Sequence, residues 1–198
     1  MYSKRLFDLL LTIPGLLILL PVFFVIAVII KTDTGGPIFF RQVRAGKYGQ
    51  PFRIFKFRTM VVNSEKIGQQ ITVGNDPRVT KSGKFLRKYK LDELPQLLNV
   101  LKGEMSIVGP RPEVPEYVKY WPQETKELVL SISPGITDIA SIEFKNENEL
   151  LEKAENPAEK YIQEIIPIKL EYYVKYVRDR NLLMDLRLIV KTIKEIVT

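Results

Sequence analysis

From Leu9 to Ile30 the chain carries no charged residue, and Thr12 is its only conventional polar side chain there. As one helix this stretch would run about 33 Å, enough to cross a bilayer core. A helix apolar on every side is rarely the core helix of so small a protein. The run also exceeds the ~7–15 residues of a signal-peptide core and lacks a small-residue cleavage pattern. The pattern therefore predicts a membrane-embedded helix over residues 1–33. Pro14 and Pro21 interrupt it, each removing a backbone donor. Lys4 and Arg5 stand before the run and Lys31 after it, and the positive-inside tendency puts both flanks on the cytoplasmic side. A re-entrant helix broken at Pro21 satisfies both observations. A proline-kinked single span is the other reading open at this point.

Beyond Gly35, Gly36 and Pro37, residues 38–43 and 51–58 are rich in aromatics and bases, and the turn between them contains Gly46 and Gly49. This predicts a small β-hairpin close to the membrane. Attraction to anionic headgroups accounts for Arg41, Arg44 and Lys47. Alternating bases and aromatics also suit single-stranded nucleic acid. Residues 63–82 are polar and turn-rich and read as an exposed loop. Leu94, Leu97, Leu98 and Leu101 then fall on one helical face; Pro95 is tolerated only in a first turn, and Gly103 marks a stop. The helix is expected to begin near Asp92, with Asp92 and Glu93 where free backbone N–H groups and the helix dipole converge. A plain N-cap explains Asp92 equally well. Arg111, fixed between Pro110 and Pro112, suits bidentate phosphate binding or a carboxylate held in a structural turn. Near the C-terminus, Leu182, Leu183, Leu186, Ile189, Val190 and Ile193 share a stripe that fits either the core or a membrane surface.

Composition narrows the chemistry. The 198 residues include no Cys and no His. That excludes disulfides, thiolate nucleophiles, Cys/His zinc sites and imidazole-based triads. Acids, bases, nucleophiles and ligands must come from Asp, Glu, Lys, Ser, Thr or Tyr. The net charge of +7 and a pI near 9.4 point to an anionic partner. The excess of bases lies in residues 31–90, and residues 91–198 are acidic on balance.

The order of these features resembles the monotopic phosphoglycosyl transferases, bacterial sugar transferases that start glycan assembly on polyprenyl phosphate. The resemblance runs through Lys4-Arg5-Leu6-Phe7-Asp8, Pro21, Gly36-Pro37-Ile38-Phe39-Phe40-Arg41-Gln42 and Phe55-Lys56-Phe57-Arg58-Thr59-Met60. It continues through Leu91-Asp92-Glu93-Leu94-Pro95-Gln96, residues 99–112, Pro134-Gly135-Ile136-Thr137 and Tyr172-Tyr173-Val174. It implies an α+β fold: a re-entrant membrane helix, a small hairpin and a mostly helical cytosolic catalytic domain (34–198) with interfacial amphipathic helices. The implied reaction takes a UDP-sugar and polyprenyl (undecaprenyl) phosphate to polyprenyl diphosphate sugar and UMP, at the cytoplasmic face of the bacterial inner membrane. In this reading Asp92 is the nucleophile, and Asp92 and Glu93 serve Mg²⁺. Arg111, Arg87, Lys56 and Arg58 hold phosphate. Membrane lipid is a partner, nucleic acid is not, and a homo-oligomer is left open. The sequence departs from the family pattern at Leu20 before Pro21, after Thr137, where Asp138 takes the place of the usual Gly, and at Lys169-Leu170 before Tyr172. The altered segment after Thr137 is expected to help select the sugar. A membrane-tethered nucleic-acid-binding module or an adaptor is the alternative, but it gives Asp92, Glu93 and Arg111 no role.

Overall fold

Tyr2–Asp33 is a single helix, α1, in the computed structural model, which describes residues 2–64, 74, 76–144 and 147–197. Its backbone stays helical through Pro14 and Pro21. Pro21 therefore does not end the helix, and a proline can bend one without interrupting it. Asp8, Thr12, Ile26 and Ile30 are buried along one stripe, whereas Leu10, Leu17, Ile18, Phe24 and Val25 are exposed. Both ends of α1 rest on the rest of the chain. Near the start, Arg5 donates to the carbonyls of Val100 and Leu101, and Lys4 pairs with Asp8 and Asp185. Asp8 accepts from Ser106 Oγ and the Ile107 N–H at 3.0 and 3.1 Å. Near the end, Phe23, Ile26 and Ile30 pack against Phe57 and Leu86.

The expected hairpin forms. Strand β1 (Phe39–Ala45) pairs antiparallel with β2 (Pro51–Phe57), from Phe39↔Phe57 to Ala45↔Pro51. Of the loop expected over residues 63–82, positions 65–73 and 75 lie outside the described residues. Its far end is ordered instead: Val79 bridges Met60, and the Thr80 side chain accepts from the Gly83 N–H to cap α2 (Lys81–Lys88). Gly83 is required there, since a Cβ would sit 2.1 Å from the Thr59 carbonyl oxygen.

The helix expected from Asp92 begins later. Lys90 turns the chain in the left-handed region (φ 51°), Leu91–Glu93 forms a tight turn, and α3 spans Gln96–Lys102, closed by Gly103 at φ 85°. Short i→i+3 bonds from Leu94, Leu97 and Leu98 wind the chain tightly up to and past Pro95, so the α-helical ladder starts only at Gln96. The leucine stripe forms one face as predicted, and it is the outer one. Gln96, Asn99 and Val100 are the buried residues, while Leu94, Leu97 and Leu98 are half-buried and Leu101 is exposed. A helix beside an apolar α1 has no need to turn its leucines inward.

After α3 come β3 (Ser106–Val108), α4 (Pro115–Val118), α5 (Gln123–Leu130) and β4 (Gly135–Thr137), with β4 parallel to β3. Gly109 and Gly135 cross where a Cβ on Gly135 would lie 2.1 Å from the Gly109 nitrogen. Short helices α6 (Ile139–Glu143), α7 (Glu147–Glu152) and α8 (Pro157–Lys160) lead through a wide turn, Tyr161–Ile165, into α9 (Ile166–Asp179) and α10 (Leu182–Val197). The main core joins α4, α5, α6 and α9 around Tyr117, Trp121, Val129, Ile165 and Leu170. In α10, Leu182, Leu183, Leu186, Val190 and Ile193 are exposed, so that stripe is not core. The fold is α+β and mostly helical, as expected.

Candidate active site

Asp92 sits in the tight turn before α3, 8% exposed, and its carboxylate accepts no hydrogen bond among the described residues. It is not an N-cap. Loss of water raises its pKa; Lys56 pulls it down and Glu93 pushes it up, leaving a value of about 6. At neutral pH it is an ionised, buried and unengaged carboxylate.

Its neighbour is bound on every side. Lys56 Nζ donates to Glu93 Oε1 at 2.7 Å, and the Arg111 guanidinium takes both carboxylate oxygens. Burial opposes ionisation of Glu93, but the charges and hydrogen bonds of Arg111 and Lys56 outweigh it and hold its carboxyl well below the usual carboxylate range. Glu93 in turn raises Arg111. Lys56 moves the other way, its burial outweighing the attraction of Glu93. Arg111 therefore uses its fork on a carboxylate in this structure, with its side chain still 32% exposed.

Local structure explains the placement. Lys56 lies on β2 next to Phe55, whose N–H donates to Asn99 Oδ1 at 2.8 Å, while Asn99 Nδ2 donates to the Arg53 carbonyl and to Glu104. Asn99, wholly buried, thus clips α3 to the strand that carries Lys56. The sequence reading missed this role, and the only signal was a polar residue at an interior helical position. Arg111 leaves β3 in an extended segment between two prolines, braced where Gly109 N–H donates to the Thr137 carbonyl.

Arg87 reaches the same place from α2. Its Nε donates to Thr59 Oγ1 at 2.9 Å, and burial lowers its pKa against the attraction of Asp92. Arg58 does not join the site. It is buried, and it donates to the carbonyls of Gly35 and Thr34 at 2.6 and 2.8 Å, just beyond α1. The expectation that Arg58 holds phosphate with Lys56 is corrected: β2 ends at Phe57, and Arg58 turns to the carbonyls of the two residues that follow α1.

The resemblance implies a magnesium ion. Among the described residues no group of three carboxylates gathers. Magnesium commonly takes one or two carboxylates and completes its shell with phosphate oxygens and water. Asp92 fits that role because its oxygens are unengaged, whereas those of Glu93 are occupied by cations.

Comparison with known proteins places the chain in a family. The family described as bacterial sugar transferase matches residues 1–198. A UDP-glucose:undecaprenyl-phosphate glucose-1-phosphate transferase of Klebsiella pneumoniae is 39% identical over 98% of this chain and 40% of its own length. A UDP-N-acetylgalactosamine-undecaprenyl-phosphate N-acetylgalactosaminephosphotransferase of Aeromonas hydrophila is 36% identical over 100% of the chain and 44% of its own. The exopolysaccharide production protein ExoY of Sinorhizobium fredii is 36% identical over 96% of the chain and 84% of its own. The chain thus spans about two fifths of the length of the first two relatives.

Proposed function

This chain belongs to the bacterial sugar transferase family, and we propose that it transfers a sugar 1-phosphate from a UDP-sugar to undecaprenyl phosphate through a covalent intermediate on Asp92. The observation that carries this reading is the contrast between adjacent carboxylates: Asp92 is buried and unengaged, while Glu93 is held by Lys56 and Arg111. One Asp92 oxygen attacks the sugar-bearing phosphorus, the bond from that phosphorus to the bridging oxygen breaks, and UMP leaves with the electron pair. An oxygen of the polyprenyl phosphate then attacks the same phosphorus, which frees the Asp92 carboxylate and forms the diphosphate. Lys56, Arg87 and Arg111 supply positive charge around both displacements. Glu93 keeps two of these cations fixed by taking up their hydrogen bonds. A bound Mg²⁺, with Asp92 among its ligands, would neutralise diphosphate charge.

The acceptor explains the membrane surface. Its tail stays in the bilayer while the nucleotide sugar is water-soluble, so the reaction belongs at the headgroup plane. The outward apolar faces of α1 and α10 support an interfacial position, and a cytosolic UDP-sugar donor would put the site on the cytoplasmic side of the inner membrane. The docking of both ends of α1 onto one folded unit supports a re-entrant helix, because a span would separate them by ~30 Å of hydrocarbon. Because the chain has no Cys, single cysteines at Ser3 and Glu124 report sidedness cleanly. An impermeant maleimide is expected to reach both from the same side of the membrane; labelling from opposite sides would establish a full span.

Nucleic-acid binding is not favoured, since four of the basic residues in and beside the hairpin are engaged internally. Lys56 is on Glu93, Arg58 on helix-end carbonyls, Arg44 on Glu113 and the Pro112 carbonyl, and Arg41 over the Phe55 ring at 3.5 Å. The test of the reading is UMP release from UDP-sugars in the presence of undecaprenyl phosphate and Mg²⁺. Release that tracks formation of a lipid-linked sugar is expected, and its absence across glucose, galactose and their N-acetylamino forms would overturn it.

A further inference from the structure

The polar interior continues past Arg111. Strands β3 and β4 run parallel with Val108 opposite Thr137, so the segments carrying Arg111 and Asp138 leave the sheet at the same end. Tyr176 of α9 donates to the Val108 carbonyl at 3.0 Å, and Tyr173, one turn earlier on the same helix face, stands over that end. Asp138 is buried and caps α6: Oδ1 accepts from the Ser141 N–H at 2.9 Å and Oδ2 from Ser141 Oγ. Tyr173 is 3% exposed, its ring set 6.3 Å from that of Trp121. Its hydroxyl makes no hydrogen bond among the described residues. The hydroxyl oxygen is not among the buried unpartnered atoms, so it keeps contact with solvent and is free to bond an incoming group.

The surroundings say what chemistry fits. Burial first, then the charges of Asp138 and Glu113, push the Tyr173 phenol well above its ordinary range, so it remains a neutral donor and acceptor. Glu113 is already tied to Arg44 and to the Tyr161 hydroxyl, and Glu147 to Lys169. Besides the buried, unpartnered Trp121 indole N–H, the groups with spare capacity are the Tyr173 hydroxyl and the second lone pairs of the Asp138 carboxylate. A carboxylate repels phosphate, and uracil offers one N–H between two carbonyl acceptors. Neighbouring sugar hydroxyls, each both donor and acceptor, match a phenol beside a carboxylate. Arg111, close enough to feel the charges of Asp138 and Tyr173, is itself partly exposed, and in the proposed reaction the sugar is borne by the phosphorus that Asp92 attacks.

We infer that Tyr173 and Asp138 form the pocket that reads the hydroxyl pattern of the donor's sugar. This rests on the transferase reading above, and it gives a use to Asp138, the residue at which the sequence leaves its family's pattern.

The experiment measures UMP release with undecaprenyl phosphate by wild type, Tyr173→Phe and Asp138→Asn, for UDP-glucose, UDP-galactose and their N-acetylamino forms. Both substitutions keep shape, and Asn still caps a helix. For at least one variant, kcat/KM for the preferred sugar should fall tenfold or more relative to its C4 epimer or C2 analogue, mainly through KM, with the thermal midpoint unchanged. A site that hydrogen-bonds a substrate hydroxyl discriminates in this way. Equal losses across all four sugars in both variants, or no loss in either, would overturn the pocket while leaving the transferase reading intact. A wild type inactive on the whole panel would overturn both.

Discussion

Asp92→Asn is expected to lower turnover by about 10⁴-fold or more, because the amide cannot form the acyl phosphate and the covalent route is lost. The same variant should be more stable than wild type at pH 7. The Asp92 carboxyl titrates in the folded protein at about 6, against an ordinary 3.8. The folded state thus bears a charge it disfavours, and removing that charge can return up to ~3 kcal/mol. The sign follows from linkage: the advantage of Asn is full above pH 6, shrinks as wild type protonates, and is gone below the ordinary carboxylate pKa. Thermal unfolding at pH 7.5 and pH 4 measures it. Wild-type activity should likewise fall as pH drops through about 6. A variant both inactive and unfolded at pH 7.5 would instead give Asp92 a structural role.

Glu93→Gln should reduce kcat by about 10²-fold through a different route. Gln cannot balance Lys56 and Arg111, which then turn toward Asp92. With the Glu93 charge gone and two cations nearer, the Asp92 carboxyl should titrate lower, so the acid limb of the pH–rate profile should move below 6 while the plateau falls. A limb that stays in place would mean that Glu93 does not set the charge at Asp92. An undiminished plateau would remove Glu93 from the mechanism. Stability should also fall, since two half-buried cations lose their shared partner.

The parts of this molecule that follow local rules were legible in the sequence. The charge-free run gave a long helix, alternating aromatics around Gly46 and Gly49 gave a hairpin, and Gly103 closed a helix. The residue pattern picked out Asp92 and Glu93 together and only the family resemblance gave them different roles, because their physical difference lies in Lys56 and Arg111, the partners of Glu93 from 37 and 18 residues away. Arg58 looked like Lys56 on paper and serves the end of α1 instead. Asn99 and Tyr173 stood in the family-like motifs without a role of their own until the strand and the sheet end they face were known. The inverted leucine face of α3 has the same origin. Apolar periodicity says that a helix has two faces, but not which of them turns inward.

The most direct measurement is a single-turnover reaction with a UDP-sugar carrying ³²P at the sugar-bearing phosphate, first without undecaprenyl phosphate. The account predicts UMP release matched by label on the protein, located to Asp92 by mass spectrometry of the digested chain and absent from Asp92→Asn. Adding undecaprenyl phosphate should then move the label into lipid. Labelled lipid formed at full rate, with no labelled protein at any time in a rapid-quench series, would contradict the account and make direct attack by the polyprenyl phosphate the mechanism.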